Sequence, residues 1–269
     1  MSRKPRLVAT DLDGTLLRSD GSVSAYSLDV LDRARRAGIE VLAVTARSPL
    51  GIDEIAAASG LTGNAIVSNG SVLYDIGERR VLSSSTITAA DAREAAEEAL
   101  AVLPDVGFAV TTGLRMVADP LYGAYTKLFA TRRVVDVLDE LWETEHIVRL
   151  YMHSRTLDTD GMFERVAGLA SRWVHAGGGS MLEFGAPGVS KASALRAYCE
   201  ERGIAAEEVA AFGDMPSDLE MLAWAGRPHA VANAHPAVLA AVTGRAPAND
   251  DDGVARVVEG LLQRHVHDR

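Results

Sequence analysis

The stretch RLVATDLDGTLL, residues 6–17, constrains the fold more than any other part of the sequence. Residues 7–9 form an apolar run as long as a short buried strand, and the polarity then changes abruptly at Asp11, Asp13 and Gly14. A chain that bends at Gly14 can turn both carboxylates toward one point in the crevice beyond the strand ends. Open α/β sheets bind their ligands in that crevice. The stretch therefore predicts a ligand site at the end of a buried strand.

Two carboxylates held this close repel each other unless a cation lies nearby, and Mg2+ is the simplest hard cation for the role. An EF-hand calcium loop needs glycine at its sixth position and glutamate at its twelfth. Counted from Asp11, the glycine is fourth and the twelfth residue is Ser22, so the stretch is not such a loop. A plain strand-to-turn signal, in which Asp and Gly serve turn geometry alone, is the structural alternative. The apolar strand directly before the pair favours a metal site.

Composition narrows the class of protein. The chain has 269 residues, of which 48% are apolar and 24% charged, as in an ordinary globular protein. Its net charge of -10 argues against a nucleic-acid surface, which normally carries a basic patch. No apolar run approaches the ~20 residues of a membrane span, and no N-terminal signal peptide is evident. The single cysteine, Cys199, fits a reducing cytoplasm. We expect a cytoplasmic protein that binds neither nucleic acid nor membranes, and the oligomeric state stays open.

The order of strand and helix patterns predicts two domains. Residues 7–68 alternate between strand and helix, as in a doubly wound parallel sheet, and the same alternation returns after residue 187. The patterns in between are typical of an antiparallel sheet with helices on one face. There we predict helices over 89–103, 134–144 and 158–171, and a glycine turn at 177–179. The predicted fold is an α/β core of residues 1–82 and 188–269, with an inserted α+β domain of residues 83–187.

Four other polar residues occupy strand ends or helix starts of the predicted parallel sheet. Thr45 follows the second strand, Lys191 begins a helix, and Asp214 and Asp218 follow the strand predicted over 209–212. Each has a simple structural explanation, such as a helix cap for Thr45 or a charge favoured by the helix dipole for Asp218. Together with the first pair they supply a nucleophile, a proton donor, a metal site and donors for a phosphoryl group.

These stretches resemble the haloacid dehalogenase superfamily of phosphotransferases, and specifically its Cof-type phosphatases, which carry a large inserted cap domain. DLDGTLL resembles the first motif of that family, VTAR the second, VSKASAL the third and GDMPSDLEML the fourth. VANAHPAV and NDDDGVARVV are similar to the usual tail, so the resemblance spans nearly the whole chain. Two positions depart from the pattern: Ala46 stands where glycine is more usual, and Ser217 where asparagine is typical. Serine is shorter, which puts the substrate affinity or scope in doubt.

The resemblance implies roles for individual residues. Asp11 would attack phosphorus and form an aspartyl phosphate, while Asp13 would protonate the leaving alcohol and then activate water. Mg2+ would bind Asp11, the backbone carbonyl of Asp13, and Asp214, with Asp218 nearby. The implied phosphate-binding groups are Leu12, Thr45, Ala46, Lys191 and Ser217.

The expected activity is therefore Mg2+-dependent hydrolysis of a small phosphorylated metabolite, with a sugar phosphate as the first candidate. A phosphosugar mutase or a dedicated phosphosugar phosphatase on the same core is the enzyme alternative. A binding protein that has kept only the metal site is the alternative without catalysis. The presence of both Asp11 and Asp13 speaks against it, because such a relic needs no proton donor. We expect the insert to act as a cap that selects the substrate.

Overall fold

The computed structural model describes residues 5–125, 132–175 and 181–263. Within them the chain forms two compact units. The first unit comprises residues 5–45, 51–82 and 190–263, and the second comprises residues 46–50, 83–125, 132–175 and 181–189. The glycine turn predicted at 177–179 lies outside the described residues.

Strands and helices are numbered in chain order. The strands are β1 (Leu7–Thr10), β2 (Glu40–Val44), β3 (Asn64–Val67), β4 (Val72–Asp75), β5 (Arg80–Ser84), β6 (Val106–Thr111), β7 (Met116–Ala118), β8 (Arg132–Val134), β9 (Arg149–Ser154), β10 (Val174–His175), β11 (Met181–Gly185), β12 (Val209–Gly213), β13 (Arg227–Val231) and β14 (Arg245–Ala246). The helices are α1 (Ala25–Arg36), α2 (Pro49–Ser59), α3 (Ala89–Val102), α4 (Pro120–Tyr125), α5 (Thr159–Val166), α6 (Lys191–Glu201), α7 (Leu219–Trp224), α8 (Pro236–Ala241) and α9 (Gly253–Gln263).

The first unit is built on an eight-stranded sheet in the order β14-β13-β12-β1-β2-β3-β4-β5. The strands from β14 to β3 run parallel, and β4 turns back antiparallel to β3. Every residue of β1 is buried, as expected for a strand covered on both faces. This confirms the predicted parallel-sheet α/β core.

Two serines, Ser190 and Ser193, determine where α6 begins. The Ser190 side chain accepts a hydrogen bond from the Ser193 amide, and the Ser193 hydroxyl accepts one from the Ser190 amide. This reciprocal pairing satisfies donors that a helix start otherwise leaves open. It fixes Lys191 as the first residue of the helix.

The second unit contains a six-stranded sheet in the order β10-β11-β9-β6-β7-β8. Its pairs are antiparallel except for β7 and β8, which run parallel. The prediction of helices on one face alone is wrong. Buried alanines of α3 and Met162 of α5 pack with Phe108 and Leu150 on one face. Tyr122 of α4 packs against Ala109 and Ala118 on the other.

The helix predicted over 134–144 is also wrong. Val134 ends β8, the Val135 amide donates to the Ala118 carbonyl at 2.9 Å, and only Leu138–Glu143 coils into a short 3-10 turn. The β-branched valines at the start of the segment favour an extended chain, and pairing with β7 decides the outcome. The helix predicted over 158–171 is shorter, since α5 ends at Val166. None of the helices in the described ranges has the length and apolar character needed to cross a membrane.

Candidate active site

Pairing of β1 with β12 brings together two acidic segments that lie about two hundred residues apart in sequence. Thr10 pairs with Phe212, and the Asp11 amide donates to the Phe212 carbonyl at 3.0 Å. Asp11 and Asp214 therefore follow neighbouring parallel strands at the same edge of the sheet. That edge is the carboxyl edge, where α/β proteins bind ligands.

A single wide turn, Leu12–Leu16, follows β1. It is closed by the Leu17 amide, which donates to the Leu12 carbonyl at 2.8 Å. Gly14 has a φ of 75°, and a Cβ there would overlap with a carboxylate oxygen of Asp214. Only glycine fits both the left-handed backbone and this close approach.

Three carboxylates meet beside the turn. Asp11, Asp214 and Asp218 each offer an oxygen atom, and these oxygens lie within 4.8 Å of one another. All three residues are buried, with exposures of 5%, 7% and 0%. This is the arrangement of carboxylates that hard divalent cations bind.

Lys191 supplies the positive charge within the group. Its ammonium donates to carboxylate oxygens of Asp11 and Asp218, each at 2.8 Å, and the side chain is buried. The second oxygen of Asp218 accepts from the backbone amides of Asp214 and Met215 at 3.1 Å. Asp218 thus orients the lysine and holds the Asp214 loop at the same time.

Burial and crowding shift the pKa values of the group. Burial raises the pKa of Asp11 to about 8, against the lowering effect of Lys191 and with a further rise from Asp218. Burial also raises the pKa of Asp214, although the Thr15 hydroxyl opposes the shift. Burial acts to lower the pKa of Lys191, but the charges of Asp11 and Asp218 outweigh it, and the net shift is upward.

The residues fit a divalent cation. If all three carboxylates were ionised, they and the one ammonium would leave two negative charges uncompensated in a buried group, and all of the candidate ligands are oxygen atoms. The Thr15 hydroxyl donates to one oxygen of Asp214 at 2.8 Å, which fixes that carboxylate in place. A doubly charged oxygen-seeking ion would offset the imbalance.

The remaining predicted residues are not members of this carboxylate group. The side chain of Asp13 is exposed and is not a member of the carboxylate cluster. Ser217 is exposed in the turn Pro216–Asp218. Thr45 is buried directly after β2, and Ala46 follows it in the chain. Leu12 has a fully buried side chain, so only its backbone is available to a ligand.

Sequence reasoning missed Thr15 as a member of the group. Thr15 is separated from Asp214 by 199 positions, yet its hydroxyl contacts the carboxylate directly. A threonine after Asp-Gly has an ordinary role in turns, so the residue type alone gave no signal. Only the pairing of β1 with β12 could have pointed to it.

Comparison with known proteins agrees with the fold. Residues 8–258 match the family described as haloacid dehalogenase-like hydrolase. The chain belongs to this hydrolase family. The match includes residues of both units.

Similar proteins cover nearly the whole chain. A pyridoxal phosphate phosphatase of Escherichia coli is 26% identical over 96% of this chain and 98% of its own length. A 5-amino-6-(5-phospho-D-ribitylamino)uracil phosphatase of Bacillus subtilis is also 26% identical, over the same shares. The solved structure of a Streptococcus mutans protein superposes with a TM-score of 0.82 at 20% identity, over 96% of this chain and 99% of that one. The last comparison supports the fold alone.

Proposed function

We propose that this protein is a Mg2+-dependent phosphatase that hydrolyses small phosphomonoesters through an aspartyl phosphate on Asp11. The observation that carries the proposal is the buried contact of Asp11 with Lys191 inside a group of three carboxylates. Membership of a hydrolase family and two phosphatases among the similar proteins support it.

In the first step, an oxygen of Asp11 forms a bond to phosphorus and the bond from phosphorus to the ester oxygen breaks. Asp13 gives its proton to the departing alkoxide. In the second step, the Asp13 carboxylate takes a proton from water, whose oxygen attacks phosphorus and releases Asp11. Because Asp13 is exposed, its carboxyl is accessible to a leaving group that solvent can reach.

Phosphoryl transfer depends mainly on positioning and charge neutralisation. Lys191, held between Asp11 and Asp218, places a positive charge beside the nucleophile. Asp11, Asp214 and Asp218 would hold Mg2+, together with the backbone carbonyl of Asp13. When bound, the ion supplies positive charge to the phosphoryl oxygens.

The remaining donors for the phosphoryl group are proposed from their positions. Thr45 follows β2, whose Ala43 pairs with Thr10, so Thr45 lies at the same sheet edge as Asp11. The backbone amides of Leu12 and Ala46 and the hydroxyl of Ser217 complete the proposed set.

The substrate class is a small phosphorylated metabolite. The two phosphatases named above share the same identity with this chain but are named for different substrates. Identity at this level therefore does not select one substrate. We assign the choice to the inserted unit, because its described residues contribute no member of the carboxylate group.

Replacement of the nucleophile tests the proposal. The change Asp11→Asn keeps the shape of the side chain but removes the attacking carboxylate, so turnover of p-nitrophenyl phosphate should be abolished. The matched control is Asp29→Asn, which alters an exposed carboxylate that pairs with Arg33 on α1, and it should leave turnover unchanged. Activity of the Asp11 variant within tenfold of the parent, with deamidation excluded by mass spectrometry, would contradict the assignment.

A further inference from the structure

We propose that Asn233 is a positioning residue that holds the turn carrying Asp13, the proposed proton donor. This inference rests on the proposed function and assigns a role to a residue outside the four motifs. Asn233 follows β13, and its side-chain amide donates to the backbone carbonyl of Gly14 at 2.7 Å. A residue after one strand therefore restrains the turn that follows another.

A second asparagine completes the restraint. The side-chain oxygen of Asn233 accepts a hydrogen bond from the Asn249 amide at 2.9 Å. The Asn249 side chain, which is buried, donates to the Leu17 carbonyl at 2.8 Å. We call Asn233 and Asn249 the amide clamp, because they hold the turn by hydrogen bonds to the carbonyls of Gly14 and Leu17.

The turn needs such a restraint because of Gly14. A Cβ at this position would overlap with Asp214, so the turn requires glycine there. Glycine has the greatest backbone freedom of any residue, so the peptide that joins Gly14 to Thr15 could otherwise rotate. The hydrogen bond from Asn233 to the Gly14 carbonyl holds that peptide in place, one residue after Asp13.

Asp13 and Asp11 depend on the clamp to different degrees. The Asp11 backbone is fixed by its bond to Phe212, and its carboxylate is fixed by Lys191. Asp13 lies one residue before the clamped carbonyl, and its backbone departs from helical geometry with φ at -68° and ψ at 122°. Loss of the clamp should therefore displace the proton donor more than the nucleophile.

The same segment also holds the second acidic loop. The His235 amide donates to the Asp214 carbonyl at 2.8 Å. The segment from Asn233 to His235 thus contacts both the turn after β1 and the loop after β12. Because this second contact comes from the backbone, a change of the Asn233 side chain leaves it in place.

The test uses two variants of the full-length protein. The change Asn233→Ala removes both side-chain bonds. The change Asn233→Asp keeps the shape and the acceptor for Asn249 but cannot donate to Gly14. The matched control is Asn64→Ala. Asn64 lies at the start of β3, away from the carboxyl edge, and its side-chain amide donates to the Tyr198 hydroxyl.

Turnover of phenyl phosphate and p-nitrophenyl phosphate separates positioning from a general structural effect. Phenolate is the poorer leaving group and needs a proton donor more, so kcat for phenyl phosphate should fall about tenfold further than kcat for p-nitrophenyl phosphate in both Asn233 variants. The Mg2+ concentration needed for half-maximal turnover should also rise, because the same displacement moves the backbone carbonyl of Asp13, a proposed ligand of the ion. The Asn64 variant should show neither change.

A double-variant cycle decides the assignment. If Asn233 acts through Asp13, adding Asn233→Ala to Asp13→Asn should change kcat for phenyl phosphate by no more than about twofold. Losses that multiply, or equal losses on the two esters, would overturn the positioning role. A lack of any effect of Asp13→Asn on phenyl phosphate would instead contradict the proposed proton donor. The two failures are therefore distinguishable.

Discussion

The ammonium nitrogen of Lys191 lies 2.8 Å from the carboxylate of Asp11, although the two residues are 180 positions apart in the chain. The same nitrogen contacts Asp218 at an equal distance. The buried Lys191 ammonium thus forms ion pairs with two buried carboxylates. Removing it would leave both without their charged partner, which is costly in a buried environment.

The first prediction concerns this contact. The change Lys191→Met should lower the free energy of unfolding of the metal-free protein by about 3–5 kcal/mol above the Asp11 pKa of about 8, where that carboxyl is ionised. The effect should shrink as the pH falls, because protonated carboxyls no longer need the cation. Urea unfolding with a chelator present measures both effects.

The matched control for Lys191 is Arg196→Met, on the same helix but exposed and outside the site. It should change stability by no more than about 0.5 kcal/mol. A Lys191 variant as stable as this control would show that the buried contact contributes nothing to the fold.

The second prediction follows from the raised pKa of Asp11, which is about 8. A carboxyl whose pKa is raised on folding stabilises the protein fully below its unfolded pKa, and that contribution is lost as the pH rises toward 8. As the pH rises from the unfolded pKa toward 8, the free energy of unfolding of the metal-free parent should therefore fall relative to that of Asp11→Asn. The slope should reach up to about 1.4 kcal/mol per pH unit. Urea unfolding with a chelator at several pH values gives the difference. A difference that stays constant or grows in favour of the parent would contradict the shift.

The third prediction separates backbone strain from close packing at Gly14. Gly14 and Gly21 have similar φ angles of 75° and 80°, but a Cβ at Gly21 meets no atom within 4 Å. Both alanine variants should lose about 1 kcal/mol or more from left-handed strain. Only Gly14→Ala should also raise the Mg2+ concentration needed for half-maximal turnover, because its Cβ displaces Asp214. Equal Mg2+ titrations for the two variants would show that the overlap is relieved without moving the carboxylate.

Much of the fold was predictable from sequence because parallel strands leave a plain signal. The buried strands β1 and β12 are apolar runs that end at acidic residues, and carboxyl ends of parallel strands share one edge. Asp11 and Asp214 could be placed together on that basis. The contact of Asp11 with Lys191 follows from a helix that begins with a capping serine.

Other features depend on tertiary contacts that residue type does not reveal. The run from Val134 to Glu143 has helical spacing, but pairing with β7 makes its start extended. Helix α4 is short and was not predicted. Its sequence signal is Asp119 directly before Pro120 at the helix start. The Asp119 carboxylate accepts a hydrogen bond from the Tyr122 amide at 2.7 Å. The bonds made by Thr15 and Asn233 join residues after different strands, so only the assembled sheet shows them.

The fourth prediction concerns substrate choice. Residues 83–187 can be exchanged for the corresponding segment of the Escherichia coli pyridoxal phosphate phosphatase. That protein aligns with this chain over 98% of its own length. If the insert selects the substrate, the chimera should gain activity on pyridoxal phosphate relative to p-nitrophenyl phosphate. The reverse exchange is the control. A folded chimera that keeps the parent's ranking of phosphorylated metabolites would place specificity in the first unit.

The most direct measurement is acid quenching during turnover of a phosphate-labelled ester in the presence of Mg2+. An aspartyl phosphate on Asp11 predicts label on the peptide that contains residues 6–17, stable in acid and released by hydroxylamine. The Asp11→Asn protein should carry no label. Rapid turnover with no label on the parent protein, or label on a different residue, would contradict the account.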